Sequence, residues 1–239
     1  MRKTYGCSGG RSFVSVLVKA KFMKRIVILG MAALFCAGVS GQDNSAGMTQ
    51  QNRKIGNITV SAFQQANTKG NEAVAAIQAT STPLSAADKQ LMMQVVSGGQ
   101  MQLALSQAAV NSVQSPEAKL LAQAEVEEQT GVAAKLKEIA GAKGVTLPDG
   151  PDAKAQAAVS KMNSMSGKSL DSYYVKESGV NGHVKLQQTM TKVQGSAKDP
   201  ALKQLATATM PVIKMHLNVS RSVSQSMMSG ASTGSSTSR

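Results

Sequence analysis

The sequence predicts an all-α protein, a four-helix bundle with flexible N- and C-terminal segments. Three observations support this fold class. Apolar residues recur at alternating steps of three and four in four long segments, which is the spacing of a buried helical stripe. Helix start and stop signals bound those segments. Aromatic residues make up only 3% of the chain and Trp is absent, which argues against a large β-sandwich.

The N-terminal region has the pattern of an export signal. Residues 23–41, MKRIVILGMAALFCAGVSG, place two basic residues before a short apolar run that ends in small residues, as in a cleaved signal peptide. We therefore expect residues 1–22 to be a mis-assigned N-terminal extension, Met23 to be the initiator and Gln42 to begin the mature, exported chain.

Two alternatives to cleavage after Gly41 remain open. A membrane anchor would need a span of about 20 apolar residues, and this run is shorter. A lipoprotein would carry its lipid on Cys36, but the residue before it is Phe35, where such sites need a small residue. We favour the cleaved signal peptide.

Removal of this leader changes the composition of the chain. Residues 1–41 contain seven basic residues, no acidic residues and both cysteines, so the formal net charge falls from +13 to +6. The remaining charge and the scarcity of aromatic rings argue against a nucleic-acid partner. A chain without cysteines has to be held together by a packed core. Nothing in the sequence identifies a partner or an oligomeric state.

The two ends of the mature chain are poor in apolar residues. Residues 42–83 are rich in Gln, Asn, Ser, Thr, Gly and Ala, and we expect a loosely ordered, weakly helical segment there. Residues 229–239, SGASTGSSTSR, predict a disordered tail. The bundle domain should therefore span residues 84–228, with both ends adding little to its stability.

The first two helices of the bundle carry clear boundary signals. Ser85 can cap the first helix, and Asp88 lies three residues later as in a capping box. Residues 115–117, Ser-Pro-Glu, open the second helix with a capping hydroxyl, a proline in the first turn and an acid near the positive end of the dipole. Gly144 and Pro148 close it.

The remaining helices follow a loop at LPDGPD. A short helical piece is predicted around residues 153–165. The third long helix should begin near Ser169. Asp199 precedes a proline and should cap the fourth, which is predicted to run to about Met228.

Polar residues interrupt the apolar stripes near the middle of each long helix. These are Gln102, Gln129, His183 and His216. If the helices run up and down, mid-helix residues share one layer. One interpretation, which we favour, is a buried polar layer that is hydrogen-bonded and sets helix register. The alternatives are a metal or small-ligand site, and unconnected side chains that are partly exposed.

The sequence carries no recognisable catalytic constellation. It lacks a glycine-rich phosphate loop. The acid cluster Glu125, Glu127 and Glu128 is interpreted as a solvated helix face with one member, Glu125, on the stripe. Asp171 is expected to stabilise the start of the third helix. No catalytic residue is predicted.

Several segments resemble the bacterial family called domain of unknown function 4142. They are SGGQMQLALSQAAV, SPEAKLLAQAEVEEQTGVAAKLKEIAGAKGVTLP, LDSYYV, VNGH and MPVIKMHL, in that order, within about residues 85–223. That family is described as ferritin-like and exported, and is sometimes labelled an outer-membrane protein. The resemblance implies a ferritin-like up-down bundle that is periplasmic or associated with the outer membrane.

The resemblance also implies where ligands would lie. Family members typically have a Glu in the first helix, where this chain has Gln102. They have an acid–His pair in the second, where it has Glu128 and Gln129. One His in each of the last two helices is matched by His183 and His216.

Two departures weaken the expectation of ferritin-like chemistry. Glutamine is a poor ligand for transition metals, and the chain contains no Glu-x-x-His pair of the kind that di-iron bundles use. We therefore predict no cofactor and favour a non-enzymatic, exported protein of the cell envelope. The alternative is a bundle that binds a divalent metal or small ligand through His183 and His216, with Glu125 or Glu128 as a third ligand. An enzyme on this scaffold is the third hypothesis.

The third helix departs from the family in length. Its spacing from Tyr174 to His183 is one residue longer than usual. A π-bulge near Gly179 would absorb the extra residue, and such bulges often lie near functional sites. A simply kinked or irregular helix at Gly179 and Gly182 is the interpretation we prefer.

Overall fold

The computed structural model describes residues 53–233, with side chains to residue 229, and this range is mostly helical. The predicted leader, Cys36 and residues 42–52 lie outside the described residues. An antiparallel pair of two-residue strands, β1 (Lys54–Ile55) and β2 (Ile58–Thr59), comes first. The helices that follow within the described range are α1 (Val60–Ala75), α2 (Ala86–Ser112), α3 (Pro116–Ala142), α4 (Ala153–Asn163), α5 (Gly167–Tyr174), a π-helix (Val175–Gly182), α6 (His183–Ser196) and α7 (Pro200–Thr233).

Four long helical units form the bundle, which confirms the predicted fold class. They are α2, α3, the continuous unit from α5 through the π-helix to α6, and α7. The pairing of residues shows that α2 runs antiparallel to α3 and to the third unit, and that the third unit runs antiparallel to α7. Gln102 contacts Glu125 while Gly99 faces Gln129, so α2 ascends as α3 descends.

Ser106 contacts Tyr174 and Gln94 contacts Lys192, so the third unit runs in the same direction as α3, and the loop and α4 between them return the chain to the end where α3 begins. The expected up-down order is therefore wrong between α3 and the third unit, although mid-helix residues meet in one layer.

The predicted helix caps are present at three starts. Ser85 Oγ accepts a hydrogen bond from the Asp88 backbone N–H at 3.0 Å. Ser115 Oγ accepts one from the Ala118 N–H at 3.3 Å. Asp199 Oδ1 accepts one from the Leu202 N–H at 3.1 Å. Each cap satisfies a backbone donor that the helix itself leaves free.

The buried apolar side chains form two clusters, one toward each end of the bundle. In α2, for example, Val95 and Val96 belong to one cluster and Leu105 and Ala109 to the other. Gln102 lies between these two sets. The same interruption occurs in α3 and α7, so a polar layer separates two apolar halves of the core.

Helix α1 corrects the expectation of a loosely ordered segment before residue 84. It is 16 residues long, and Phe63, Asn67, Gly70 and Val74 are buried. A Cβ at Gly70 would collide with Val212 of α7, so the missing side chain allows close packing. The buried positions follow steps of four and three, but Asn and Gly occupy two of them, and the stripe therefore looks polar in sequence.

The end of α7 also differs from the prediction. The helix continues to Thr233 rather than ending at about Met228. Ser229 Oγ donates to the Gln225 carbonyl at 3.0 Å, so a serine-rich composition does not interrupt this helical backbone. The expected tail boundary at residue 229 is too early. In residues 53–233, no helix combines the length and the hydropathy needed to cross a bilayer.

The preferred interpretation of the third helix is wrong, because the chain forms a π-helix there. This stretch spans Val175–Gly182 without a break in the helical unit. Its glycines serve close packing rather than flexibility. A Cβ at Gly179 would lie 2.7 Å from Ser220 Oγ, and one at Gly182 would overlap the Gln102 amide.

Candidate metal centre

A buried polar layer in the middle of the bundle brings together side chains from four helical units. All of its members are at most 3% exposed. They are Gln102 from α2, Glu125, Glu128 and Gln129 from α3, His183 from α6 and His216 from α7. The four residues predicted for a polar layer thus lie together, and two glutamates join them.

Four of these side chains direct ligand atoms at one point. Glu125 Oε2 lies 2.8 Å from His183 Nε2 and 3.3 Å from His216 Nδ1. Those two nitrogens are 3.3 Å apart. Glu128 Oε2 is 3.0 Å from His216 Nδ1. The four groups can each offer a ligand atom within 4.8 Å of the others, and a tetrahedral Zn²⁺ ion would space its ligand atoms roughly 3.4 Å apart.

The backbone fixes which nitrogen of His183 carries a proton. Its Nδ1 lies 3.1 Å from the Ser178 carbonyl and 2.9 Å from the Gly179 carbonyl. Carbonyl oxygens only accept hydrogen bonds, so Nδ1 must donate. A neutral His183 therefore turns the lone pair of Nε2 toward the two glutamates, the arrangement usual in metal-bound histidines.

The π-helix supplies both of those carbonyls. They lie four and five residues before His183, and helical side chains lean toward the N-terminus of their helix. The extra residue in this unit thus contributes to the site, because it belongs to the π-helix whose carbonyls orient His183. The sequence indicated a bulge near Gly179 but not its contact with the imidazole.

The two glutamines support Glu125 and do not take the place of ligands. Gln129 Nε2 donates to Glu125 Oε1 at 3.1 Å, and Gln102 Nε2 donates to the same oxygen at 3.4 Å. Gln102 also donates to the Ser178 carbonyl at 3.0 Å and accepts from Ser178 Oγ at 3.3 Å. Oε1 is thereby occupied, and Oε2 is left for the histidines.

Glu128 is buried, which corrects its interpretation as part of a solvated face. Among the described residues, neither of its oxygens accepts a hydrogen bond. Its 3.0 Å approach to His216 Nδ1 is close in distance but misaligned for a hydrogen bond. Only Glu127 of the acid cluster is exposed. A buried carboxylate without donors is costly unless a cation lies beside it.

Helix α1 closes this side of the layer. The Phe63 ring packs against His216 with centroids 5.2 Å apart. Asn67 Nδ2 donates to the Ala124 carbonyl and to Glu127 Oε2, at 3.4 and 3.2 Å. In the described part of the chain His216 Nε2 has no hydrogen-bond partner. The burial of His216 and of the neighbouring Glu128 therefore depends in part on α1.

The charges of the layer shift its protonation equilibria. Burial opposes ionisation of Glu125, but His183 and His216 outweigh it and hold the pKa of its carboxyl well below the usual value. Burial also disfavours the imidazolium forms, yet Glu125 raises the pKa of His183. Glu125 and Glu128 together raise the pKa of His216 to about 9. In the absence of another cation, the layer holds protons on its histidines.

Two neighbouring polar residues have structural contacts. Tyr174 OH and Ser106 Oγ are 2.9 Å apart, and burial together with the Glu125 charge raises the pKa of Tyr174. Asp171 was expected to serve its own helix. It instead accepts from the backbone N–H groups of Gln114 and Ser115, each at 2.8 Å, just before α3 begins. It therefore fixes the start of the neighbouring helix.

A cavity of about 630 Å³ lies beside the layer, between α2, α3 and the loop over residues 145–151. Its walls include Val95, Leu103 and Leu136, and Gln129 is the only member of the polar layer that lines it. Gln100 Nε2 holds the loop by donating to the Pro148 carbonyl at 3.0 Å. The cavity reaches the layer only through the glutamine that supports Glu125.

Comparison with models of protein families shows which family the chain belongs to. The model of the family described as a domain of unknown function (DUF4142) matches residues 72–223. The chain belongs to the DUF4142 family. Neither a curated protein nor a solved structure matches it. In this DUF4142 protein the matched region begins within α1 and includes every member of the polar layer.

Proposed function

We propose that this DUF4142 protein binds one divalent transition-metal ion through Glu125, Glu128, His183 and His216. The observation that carries the proposal is the Glu128 carboxylate, which is buried without a hydrogen-bond donor among the described residues and lies beside three other ligand groups. Two carboxylates and two neutral imidazoles carry a charge of about −2, which one dication neutralises. Binding of one dication would therefore neutralise the charge of the site and give the Glu128 oxygens a partner.

Zn²⁺ is the ion that this ligand set suits best. Imidazole nitrogens favour zinc, copper, nickel and iron, whereas carboxylates alone would favour magnesium, calcium or manganese. Two nitrogens and two oxygens in a compact group match the tetrahedral coordination of Zn²⁺, with bonds of about 2.0–2.2 Å. The ligand atoms need to separate only slightly to admit the ion.

The proposed role of the ion is structural, and the protein is proposed not to be an enzyme. All four ligands are buried, and a site closed by four protein ligands has no open position for a substrate. The ion would join α3, α6 and α7 at the layer where the apolar core is interrupted. Its binding energy would then contribute directly to folding.

We also propose that the protein is exported and acts in the cell envelope. The pattern of residues 23–41 supports this proposal. N-terminal sequencing of the protein recovered from the envelope fraction tests it. A mature chain that begins at or near Gln42 would support export with cleavage, whereas one that begins upstream of Ile26 would contradict it.

Metal titration of the chain from Gln42 to Arg239 tests the metal proposal. The chain should be purified without chelator for metal analysis, then stripped and titrated with Zn²⁺ by calorimetry. We expect one ion per chain and a rise in melting temperature with Zn²⁺ concentration. An excess of 100 to 1,000 times the Kd adds about 3–4 kcal/mol of stability by mass action.

Matched variants identify the ligands. Glu128→Gln and His216→Gln should each abolish the zinc-dependent rise in melting temperature. Glu127→Gln removes the same charge from an exposed position on the same helix and should leave the rise intact. If neither Zn²⁺ nor Fe²⁺ changes the melting temperature of the wild-type chain, the proposal is overturned. That result would support a hydrogen-bonded polar layer without metal.

A further inference from the structure

We propose that Gln102 and Gln129 determine which metal the site accepts, because they restrict Glu125 to a single coordinating oxygen. This inference rests on the proposed metal binding and extends it to selectivity. Both amides donate to Glu125 Oε1, at 3.4 and 3.1 Å. Oε2 of the same carboxylate faces both imidazoles. One oxygen is therefore held by the protein, and the other is presented to the ion.

The geometry keeps Gln129 in this position. It lies one helical turn after Glu125 on α3, so its amide reaches the carboxylate along the same helix face. On its other side is Gly99, where an added Cβ would lie 2.9 Å from Gln129 Oε1. The absence of a side chain at Gly99 gives the amide its room, and the facing backbone of α2 limits its movement.

Gln102 is held from both ends of its amide. Its Nε2 donates to the Ser178 carbonyl as well as to Glu125, and its Oε1 accepts from Ser178 Oγ. The backbone of Gly182 approaches the same amide so closely that a Cβ there would overlap it. The π-helix therefore positions this glutamine in addition to His183. Neither amide can turn away from Oε1 without losing a buried hydrogen bond.

Coordination number is the property that these contacts control. A carboxylate that binds through one oxygen keeps the ligand count at four, which suits Zn²⁺. Manganese prefers oxygen-rich octahedral coordination. Release of Oε1 would add a fifth donor atom without any movement of a helix. The two amides thus favour zinc, because they keep Glu125 Oε1 hydrogen-bonded and so unavailable to a six-coordinate ion.

Isosteric substitutions of the glutamines test the inference. Gln129→Met and Gln102→Met remove the amide donors and keep the approximate volume. The Kd values for Zn²⁺ and Mn²⁺ are measured by competition with a chelating dye. We expect zinc affinity to fall by about 10- to 100-fold, while manganese affinity is unchanged or rises, so that the preference for zinc shrinks at least tenfold. Gln100→Met removes an amide that, within residues 53–233, donates to the Pro148 carbonyl alone, and should leave both Kd values unchanged.

A measurement on the wild-type chain keeps the inference testable if a variant fails to fold. The visible absorption of bound Co²⁺ is intense in tetrahedral coordination and weak in octahedral coordination. We expect the intense spectrum from the wild type and a weaker one from Gln129→Met. Equal losses of zinc and manganese affinity, or a weak wild-type spectrum, would overturn the inference while leaving the proposed metal binding intact. A wild type that binds no ion would overturn both.

Discussion

The ring of Phe63 in α1 packs against the imidazole of His216 in α7, with their planes inclined by 34°. This contact joins the first helix of the described chain to the last. It makes α1 one wall of the polar layer, on the side where Glu128 accepts no hydrogen bond from the described residues. The stability of the bundle and the burial of the layer should therefore both depend on α1.

Loss of the Phe63 side chain is predicted to destabilise the whole bundle. The residue is 1% exposed, and Phe→Ala substitutions in cores cost about 3–5 kcal/mol. Urea unfolding of Phe63→Ala measures the cost, with the exposed Gln64→Ala as control.

Removal of the whole segment that contains α1 should have a larger effect. A chain beginning at Pro83 should melt far below one beginning at Gln42. Similar melting of these two chains would instead restore the expectation that the segment adds little.

The two obvious substitutions of His216 are predicted to differ in stability without metal. His216→Gln keeps a donor near Glu125 and Glu128, and should cost about 1–3 kcal/mol. His216→Leu removes a donor from Glu125 and the adjacent imidazole from Glu128, and should cost about 3–5 kcal/mol. Urea unfolding in the presence of chelator measures both values. Equal costs would show that the polar contacts of this imidazole contribute little.

The metal-free protein is predicted to lose stability above neutral pH. A histidine whose pKa is raised on folding stabilises the fold below its unfolded pKa, and that stabilisation is lost as the pH rises through the folded pKa. For His216 this window runs from 6.5 to about 9. The loss should be on the order of 3 kcal/mol, and His183, whose pKa is also raised, should add to it.

Unfolding free energies between pH 5 and pH 9.5 test this dependence. The lowered pKa of Glu125 has the opposite sign, because its contribution is present above 4.5 and is lost only as the pH falls through the lower folded value. His216→Gln should reduce the slope above pH 6.5, leaving the part that comes from His183. Saturating Zn²⁺ should flatten the slope, since a metal-bound imidazole is already neutral. A metal-free profile that is level from pH 6 to pH 9 would contradict the prediction.

Two glycines in the third helical unit are predicted to respond oppositely to alanine. Gly182→Ala would drive a methyl group into the Gln102 amide, so both stability and zinc affinity should fall. Gly195 is exposed, and among the described residues its added methyl group would meet no atom of another helix within 4 Å. Gly195→Ala should therefore stabilise its helix by about 0.5–1 kcal/mol. Thermal unfolding and zinc titration of both variants check this. Stabilisation by Gly182→Ala would show that the Gln102 position is not restricted by the π-helix.

The fold was predictable because its signals are local. Ser85, Ser115 and Asp199 mark helix starts through contacts with residues only three positions away. Steps of three and four placed Gln102, Gln129, His183 and His216 on buried stripes, and the structure brings them into one layer. In both cases the information lies within single helices, where spacing alone determines which residues share a face.

Two of the errors, the ordering of α1 and the burial of Glu128, have a common origin. The stripe of α1 contains Asn67 and Gly70, which gave no sign of burial, and without α1 the face of α3 that carries Glu128 looks solvent-exposed. The local pattern therefore places Glu128 on a solvated face. Its burial depends on a contact between helices distant in sequence, and no local pattern records such a contact.

The separation of the ligands along the chain has a consequence for how the protein is made. Glu125 and His216 are 91 residues apart, and the supporting contact from Gln102 to Ser178 spans 76. A nascent chain therefore lacks a complete set of donors until its last helix has been synthesised. Closing loops of this length costs conformational entropy, which is offset only when the contacts of the complete core have formed. For the proposed metal site, premature capture of an ion would thus be disfavoured, and loading would be a late event that marks molecules whose assembly is complete.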